Sequence, residues 1–202
     1  VIGLGLIGGS IARDLSRLGI RVAGVDVAGT AQAVAAGVVD AEARVEDAEV
    51  VVLAVPVDVA PGVLHALGPH LARARLITDA GSTKRSILAA AAGAGIGAHF
   101  VGAHPLAGDS RGGWDAAREG LFAGARVILT PASTAADDVV SLATSFWSTL
   151  GAEPEIMDAA THDALLAWSS HLPQMVATAL GCTLQSAGVA RAALGPGGQL
   201  KT

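Results

Sequence analysis

Short apolar runs alternate with longer segments of helical periodicity along the first 157 residues of the chain. The strand-like runs are residues 1–4, 21–25, 50–55, 76–78, 100–101, 125–130 and 155–157. Strands that are apolar throughout are typical of a parallel sheet whose two faces are both covered by helices. The alternation therefore predicts an α/β fold built on a doubly wound, mostly parallel sheet.

The pattern changes after residue 157. Residues 159–187 have helical spacing without a strand signal, and Pro173 in "SHLPQ" is expected to end or kink a helix just before it. We therefore predict two domains, residues 1–157 and residues 158–202, of which the second is helical. The chain opens like the second half of a strand and closes on "GPGGQLKT" without a helix stop, so we expect both ends to be cut.

Charge and cysteine content narrow the classes of partner. The formal net charge is −5 and no run of Lys or Arg occurs, which argues against nucleic acid and anionic membranes and favours a small-molecule ligand. The strongest apolar run, residues 50–57, is far too short to span a bilayer. The single cysteine, Cys182, cannot form an internal disulfide or a multi-thiolate zinc site. We expect no metal centre and a cytoplasmic location.

The stretch "GLGLIGGS" carries Gly3, Gly5 and Gly8 in GxGxxG spacing, directly after a strand and at the start of a helix. The first glycine permits a tight turn, the second lets the backbone approach a pyrophosphate, and the third allows close packing of helix on strand. Leu6 and Ile7 lie between them. We interpret residues 3–8 as a dinucleotide-binding turn, since a plain glycine-rich turn leaves the flanking strand and helix unexplained.

Two further positions are expected at the same ligand. Asp26 ends the second strand, 18 residues after Gly8, where a carboxylate accepts hydrogen bonds from the adenosine ribose, and this favours NAD over NADP. A solvated Asp at a turn is the alternative. Val55 and Pro56 end the central strand, at the edge where open α/β sheets hold ligands.

Two polar stretches follow neighbouring strands, "DAGSTK" from Asp79 to Lys84 and "GAHPLAG" from Gly102 to Gly108. Both are expected at the ligand edge of the sheet, with His104 just after its strand. Because a histidine is suited to proton transfer near neutral pH, we predict that His104 accepts a proton and that Ser82 supports it. A structural histidine and a helix-capping Ser82 are the alternatives. For Lys84, a solvated surface position is at least as plausible as a ligand contact.

Together, six motifs resemble the prephenate dehydrogenase family, which includes arogenate and cyclohexadienyl dehydrogenases. They are "GLGLIGGS", "DAGSTK", "GAHPLAGDSRGGWDAA", "LFAGARVILTP", "HD" at 162–163 and "SHLPQ" at 170–174. The resemblance implies a Rossmann-type domain followed by a helical domain that forms a homodimer, with the active site between them. It also implies NAD-dependent oxidative decarboxylation of prephenate to 4-hydroxyphenylpyruvate, a step of tyrosine biosynthesis.

The resemblance assigns further roles. Ser82 matches the serine that supports the reacting hydroxyl and the catalytic histidine, and His162 and His171 match residues on the substrate side. Gln174 stands where many relatives have a second histidine. Because Gln cannot become cationic, this departure leaves the choice between prephenate and arogenate open. The family's carboxylate-binding Arg, expected shortly after a segment like residues 195–197, would lie beyond Thr202.

Other functions remain as alternatives. A reductase of 3-hydroxy acids or imines usually depends on a Lys in the long interdomain helix, and residues 159–187 contain none. A non-enzymatic NAD-binding protein would leave His104 and Ser82 without a role.

Overall fold

A computed structural model describes residues 1–71 and 73–188, and its core is a parallel sheet. Strands β1 (Val50–Leu53), β2 (Leu76–Asp79) and β3 (Phe100–Pro105) run parallel in that order. Val50 pairs with Leu76, and Ile77 pairs with Phe100. The carboxyl ends of all three strands therefore meet at one edge of the sheet.

The segments predicted as strands at residues 1–4 and 21–25 lie beyond β1 and continue the sheet, but they pair only through isolated bridges. Ile2 forms parallel bridges with Val25 on one side and Leu53 on the other. Its N–H donates to the Val52 carbonyl at 2.8 Å, and its own carbonyl accepts from Ala54 N at 2.7 Å. This pairing places the glycine turn that follows Ile2 at the carboxyl edge.

The far side of the sheet is mixed. Strand β4 (Arg126–Pro131) pairs antiparallel with β3, and β5 (Glu153–Ile156) pairs parallel with β4. The order β1-β2-β3-β4-β5 confirms the predicted mostly parallel sheet.

Helices cover both faces of the sheet. They are α1 (Leu6–Arg17), α2 (Thr30–Ala35), α3 (Ala60–Leu67), α4 (Arg85–Gly93) and α5 (Asp137–Thr149). Leu76 belongs to one buried apolar cluster with residues of α1 and α5, whereas the adjacent Ile77 belongs to a second cluster with residues of α3 and α4. Because successive strand residues point to opposite faces, these two clusters are the two layers of a doubly wound fold.

One strand is longer than the sequence predicted. Apolar character suggested only residues 100–101, but β3 continues through Gly102, Ala103 and His104 to Pro105. Pairing with β4 maintains this extension, since Ala103 faces Leu129 and His104 faces Ile128 across the antiparallel ladder. His104 is therefore a strand residue, whereas the sequence predicted that it follows the strand.

The chain divides into two compact units, Val1–His162 and Asp163–Thr202. Helix α6 (Ala159–Leu166) starts in the first unit, a π-helical turn (Ala167–His171) follows, and α7 (Leu172–Ser186) carries Pro173 in its first turn. The break predicted before Pro173 is the π-helical turn. Among the helices of the described residues, none is long and apolar enough to cross a membrane. Residues 195–197 lie outside the described residues.

Candidate active site

The glycine turn is built for close approach of backbone to backbone. Gly3 has φ +90°, and a Cβ there would lie 2.5 Å from the Ala54 carbonyl oxygen. A Cβ on Gly8 would lie 1.9 Å from the carbonyl oxygen of Gly3. Gly5 is the N-cap of α1, and no atom lies within 4 Å of the place its Cβ would occupy. The turn therefore leaves open space at the positive end of a helix, where a phosphate binds.

Leu6 and Ile7 form the first turn of α1 and are half-buried. Across from them, Val55 follows β1, and its Cγ1 lies 3.1 Å from the position of a Cβ on Gly3. Pro56 is exposed, and its carbonyl accepts hydrogen bonds from Val59 N and Ala60 N at 3.0 Å as the chain turns into α3. Leu6, Ile7 and Val55 thus flank the glycine turn, and Pro56 begins the turn into α3.

Asp26 is fixed beside this turn by backbone donors. Its Oδ2 accepts from Leu4 N at 2.6 Å, and its Oδ1 accepts from Ala28 N at 2.8 Å and Gly29 N at 3.0 Å. Burial opposes ionisation, but these three hydrogen bonds outweigh it and hold the pKa of Asp26 below its ordinary value. The carboxylate is therefore charged at neutral pH. It still has a lone pair to offer a hydroxyl group, because a carboxylate has about four acceptor positions.

His104 meets a second histidine at the carboxyl edge. Its Nδ1 lies 3.0 Å from Nε2 of His162, with the two ring planes 75° apart. His104 is half-buried and His162 is completely buried. One nitrogen of the pair must donate and the other must accept. If His104 donates from Nδ1, its Nε2 keeps a lone pair that can take a proton.

Asp158 positions His162 by starting helix α6. Its Oδ1 accepts from Ala160 N at 3.0 Å and from Thr161 N at 2.9 Å, and its carbonyl accepts from His162 N at 2.9 Å. Hydrogen bonds from the side chain and the backbone of Thr161 are the largest effects that lower the pKa of Asp158. A charged N-cap of this kind fixes the first turn of a helix. It therefore fixes the helical turn from which His162 reaches His104.

Lys84 is not at the surface, which corrects the solvated position considered from the sequence. Its side chain is completely buried and forms an ion pair with the equally buried Asp79. Its burial was not predicted from the sequence, because a Lys between a Thr and an Arg is typical of a polar helix start. Lys84 is the N-cap of α4, which starts at Arg85, so Ser82 does not cap this helix.

The other predicted site residues lie in two places. Ser82 is exposed in the loop between β2 and α4, and no hydrogen bond within the described part of the chain joins its hydroxyl to His104. In the second unit, His171 ends the π-helical turn and is half-buried. Gln174 is exposed in α7, with its Nε2 3.4 Å from Thr178 Oγ1.

The segment that follows β3 is attached to α1, a connection that sequence reasoning missed. Ser10 Oγ accepts from Arg118 N at 3.0 Å, and the buried Asp14 accepts from Gly120 N at 2.9 Å. The Arg13 guanidinium lies 4.2 Å from the ring centre of Trp114. The helix that follows the glycine turn therefore also holds the segment that follows His104.

A cavity of about 450 Å³ opens elsewhere in the first unit, between residues 20–23, 42–45, 47–52 and Phe146. It contains none of the predicted site residues. Its wall mixes both signs of charge, with Arg21 and Arg44 near Glu42 and Asp47.

The sheet, the glycine turn and the carboxylate beside it define a dinucleotide-binding domain of the Rossmann type. A family model described as "Prephenate dehydrogenase, nucleotide-binding domain" matches residues 11–155. The chain belongs to the prephenate dehydrogenase family.

Three comparisons illustrate the likeness. Prephenate dehydrogenase of Bacillus subtilis is 36% identical over 190 residues, which cover 88% of this chain and 51% of that protein. The crystal structure of prephenate dehydrogenase from Aquifex aeolicus with hydroxyphenyl propionate and NAD+ superimposes with a TM-score of 0.84 at 32% identity, covering 92% of this chain and 68% of that one. Synechocystis arogenate dehydrogenase gives 0.80 at 34% identity, covering 94% and 69%.

The chain spans between 51% and 64% of the length of the curated relatives that it matches.

The Asp158 cap predicts a pH-dependent stability. Because the pKa of Asp158 is lowered by folding, its contribution is complete above the unfolded pKa of about 3.9 and disappears as the pH falls through the folded pKa. We expect Asp158→Ala to lower the Tm at pH 7 and to approach wild type once the pH is below the folded pKa of Asp158, measured by circular dichroism. Asp158→Asn, which caps without titrating, is the control. A Tm difference between wild type and Asp158→Ala that stays constant with pH would contradict the assignment.

Proposed function

We propose that the chain is the nucleotide-binding domain and the start of the helical domain of an NAD-dependent dehydrogenase. The reaction is oxidative decarboxylation of prephenate to 4-hydroxyphenylpyruvate. The observation that carries the proposal is the pair of His104 and His162, 3.0 Å apart at the carboxyl edge of the sheet that also bears the glycine turn. Family membership supports the reaction class.

The residues of the glycine turn fit NAD+. The turn supplies backbone N–H groups at a helix start, the open space at Gly5 admits a pyrophosphate, and Asp26 offers a carboxylate to the adenosine ribose. Val55 and Pro56 would border the same ligand. When bound, NAD+ is the acceptor of the hydride that leaves the hydroxyl-bearing ring carbon.

His104 would handle the proton of that hydroxyl. With Nδ1–H donating to His162, Nε2 of His104 accepts the hydroxyl proton as the carbon–oxygen double bond forms. The ring carboxylate then leaves as carbon dioxide, and its bonding electron pair restores the aromatic ring. The ring oxygen regains a proton and becomes the phenol of the product. Overall, the substrate loses a hydride and carbon dioxide, and no net proton is released.

His162 would keep this arrangement intact during turnover. His104 donates from Nδ1 both when it is neutral and after it has become an imidazolium, so the hydrogen bond survives the proton transfer. A protonated His162 would have no lone pair at Nε2 to accept that bond. His162 is thus proposed to act through His104, and Ser82, His171 and Gln174 are proposed as residues on the substrate side.

Arogenate is the second candidate substrate. A solved arogenate dehydrogenase is 34% identical to this chain, and Gln174 presents a neutral amide where the resemblance calls for a histidine. Prephenate carries a keto group and arogenate an ammonium in the side chain, so a neutral amide at this place can serve either. A cytoplasmic location is part of the proposal, supported by the single cysteine.

The first test is turnover of both substrates by the whole protein, followed as NADH absorbance. We expect turnover of prephenate, and His104→Asn should lower kcat by about 100-fold or more because general base catalysis contributes on that scale. His99→Asn, an exposed histidine just before the same strand, is the matched control. If the protein turns over arogenate and not prephenate, arogenate is the substrate and the proposed reaction on prephenate is wrong. If the protein binds NAD+ but turns over neither prephenate nor arogenate, the proposed enzymatic function is wrong and a non-enzymatic NAD-binding protein is the remaining alternative.

The second test concerns the cofactor. Asp26→Asn should weaken NADH binding by about 10-fold or more, because a charge-assisted hydrogen bond to the ribose is lost. Asp26→Ser should also narrow the preference for NADH over NADPH, since the negative charge that repels the 2′-phosphate is removed. Both affinities are measured by nucleotide fluorescence. Asp40→Asn, an exposed carboxylate paired with Arg21, is the control and should bind NADH normally. If all variants bind NADH as tightly as wild type, Asp26 does not contact the cofactor and the assignment is wrong.

The third test concerns the proposed homodimer. Large apolar side chains are exposed around α7, a feature typical of interaction surfaces. They are Trp168, Leu172, Met175, Val176 and Leu180. We expect light scattering to give a dimer for the whole protein. The pair Met175→Lys and Val176→Lys should shift it toward monomer, whereas Leu18→Lys in the first unit should not. A monomeric wild-type protein would refute the proposal.

A further inference from the structure

The buried ion pair of Asp79 and Lys84 is an unusual element in the first unit. The Asp79 side chain is 1% exposed and that of Lys84 is 0% exposed. Removing two charges from water costs several kcal/mol per ion, and well-packed apolar residues often serve stability as well or better. A gain in folding stability therefore does not explain why a buried ion pair is present at these two positions.

The partners of the pair indicate what it does. Asp79 Oδ1 accepts from Ala103 N at 3.1 Å, and Lys84 Nζ donates to the Ala103 carbonyl at 2.7 Å. Both polar backbone groups of Ala103 are thus held by the two members of one ion pair. Ala103 is the residue directly before His104.

The ion pair replaces a missing strand ladder. Pairing of β2 with β3 ends at Thr78 and Val101, whereas β3 continues to Pro105 along β4 alone. In an antiparallel ladder, alternate residues turn their N–H and C=O groups away from the partner strand. Ala103 turns these groups toward Asp79 and Lys84, which bind them in place of a strand backbone.

Two glycines make room for the pair. A Cβ on Gly102 would lie 2.5 Å from Thr130 Oγ1 and 3.3 Å from Lys84 Cδ, so the absence of a side chain at Gly102 admits the lysine. Gly81 donates from its backbone N to Asp79 Oδ2 at 2.8 Å, and a Cβ there would lie 3.0 Å from the same oxygen. The glycine before His104 thus serves close packing around the ion pair.

We propose that Asp79 and Lys84 are positioning residues for His104. By holding both backbone groups of Ala103, the pair fixes the end of β3 so that the imidazole of His104 stays in register with His162. This inference rests on the proposed function, in which His104 is the proton acceptor. The pair acts through the backbone and keeps its own charges out of water.

The test separates positioning from stability. The double variant Asp79→Leu with Lys84→Met replaces the ion pair by an apolar pair that retains packing but cannot hold the Ala103 backbone. In the whole protein we expect kcat for prephenate to fall between about 10-fold and 100-fold, with KM for NAD+ within about twofold of wild type, since misplacement by about 1 Å has effects of this size. The NMR signal of the imidazole N–H shared by His104 and His162 should shift or broaden.

Val101→Ala is the matched control, because it weakens packing at the same β2–β3 junction and leaves the ion pair in place. It should lower the Tm while kcat and the imidazole signal stay near wild type. Where the double variant does not fold, Asp79→Asn with Lys84→Met gives the same readouts, since it leaves no unpaired buried charge and still releases the Ala103 carbonyl. A folded variant with wild-type kcat and an unchanged imidazole signal overturns the proposal. Absence of turnover in wild type refutes the proposed function alone, because the imidazole signal still tests positioning.

Discussion

Parallel pairing around Ile2 is the constraint on which the rest of the structure depends. Ile2 joins Val25 on one side to β1 on the other, and β1 joins β2 and β3 in the same direction. Each of these strands therefore ends at the same edge, whatever residues follow it. The glycine turn, the Asp26 carboxylate and His104 share that edge for this reason. The location of the site therefore depends first on strand direction and only then on the side chains that the strands carry.

Helix α1 also connects the parts of the site at this edge. Helix α1 leaves the glycine turn, and further along it Ser10 and Asp14 hold the segment that follows His104. The dinucleotide turn and the segment beyond the proposed proton acceptor are thus attached to one rigid element. Buried carboxylates hold backbone at two places, since Asp14 in α1 accepts from Gly120 and Asp79 at the end of β2 accepts from Ala103. In both cases a buried side chain stabilises backbone that lacks a strand partner.

The sequence predicted the architecture well, because apolar periodicity reports which faces are buried and GxGxxG reports a backbone shape. It also placed His104 at the carboxyl edge of the sheet, where the structure has it, and the role of His104 as proton acceptor stays a prediction. It did not predict the length of β3, because Gly102 to Pro105 have poor strand propensity and only pairing with β4 extends them. Nor did it predict the burial of Lys84, because the space that admits its side chain lies at Gly102, which is distant from Lys84 in the sequence.

An imidazole differs from a carboxylate as a support for His104. His162 offers a lone pair and a fixed orientation, but it lends no negative charge. In the proposed reaction, the substrate itself brings negative charge toward His104 in two carboxylates. Decarboxylation removes one of them, so the product carries one negative charge fewer than the substrate. A histidine in this supporting place therefore orients His104 without adding a negative charge to a site proposed to bind a dianion.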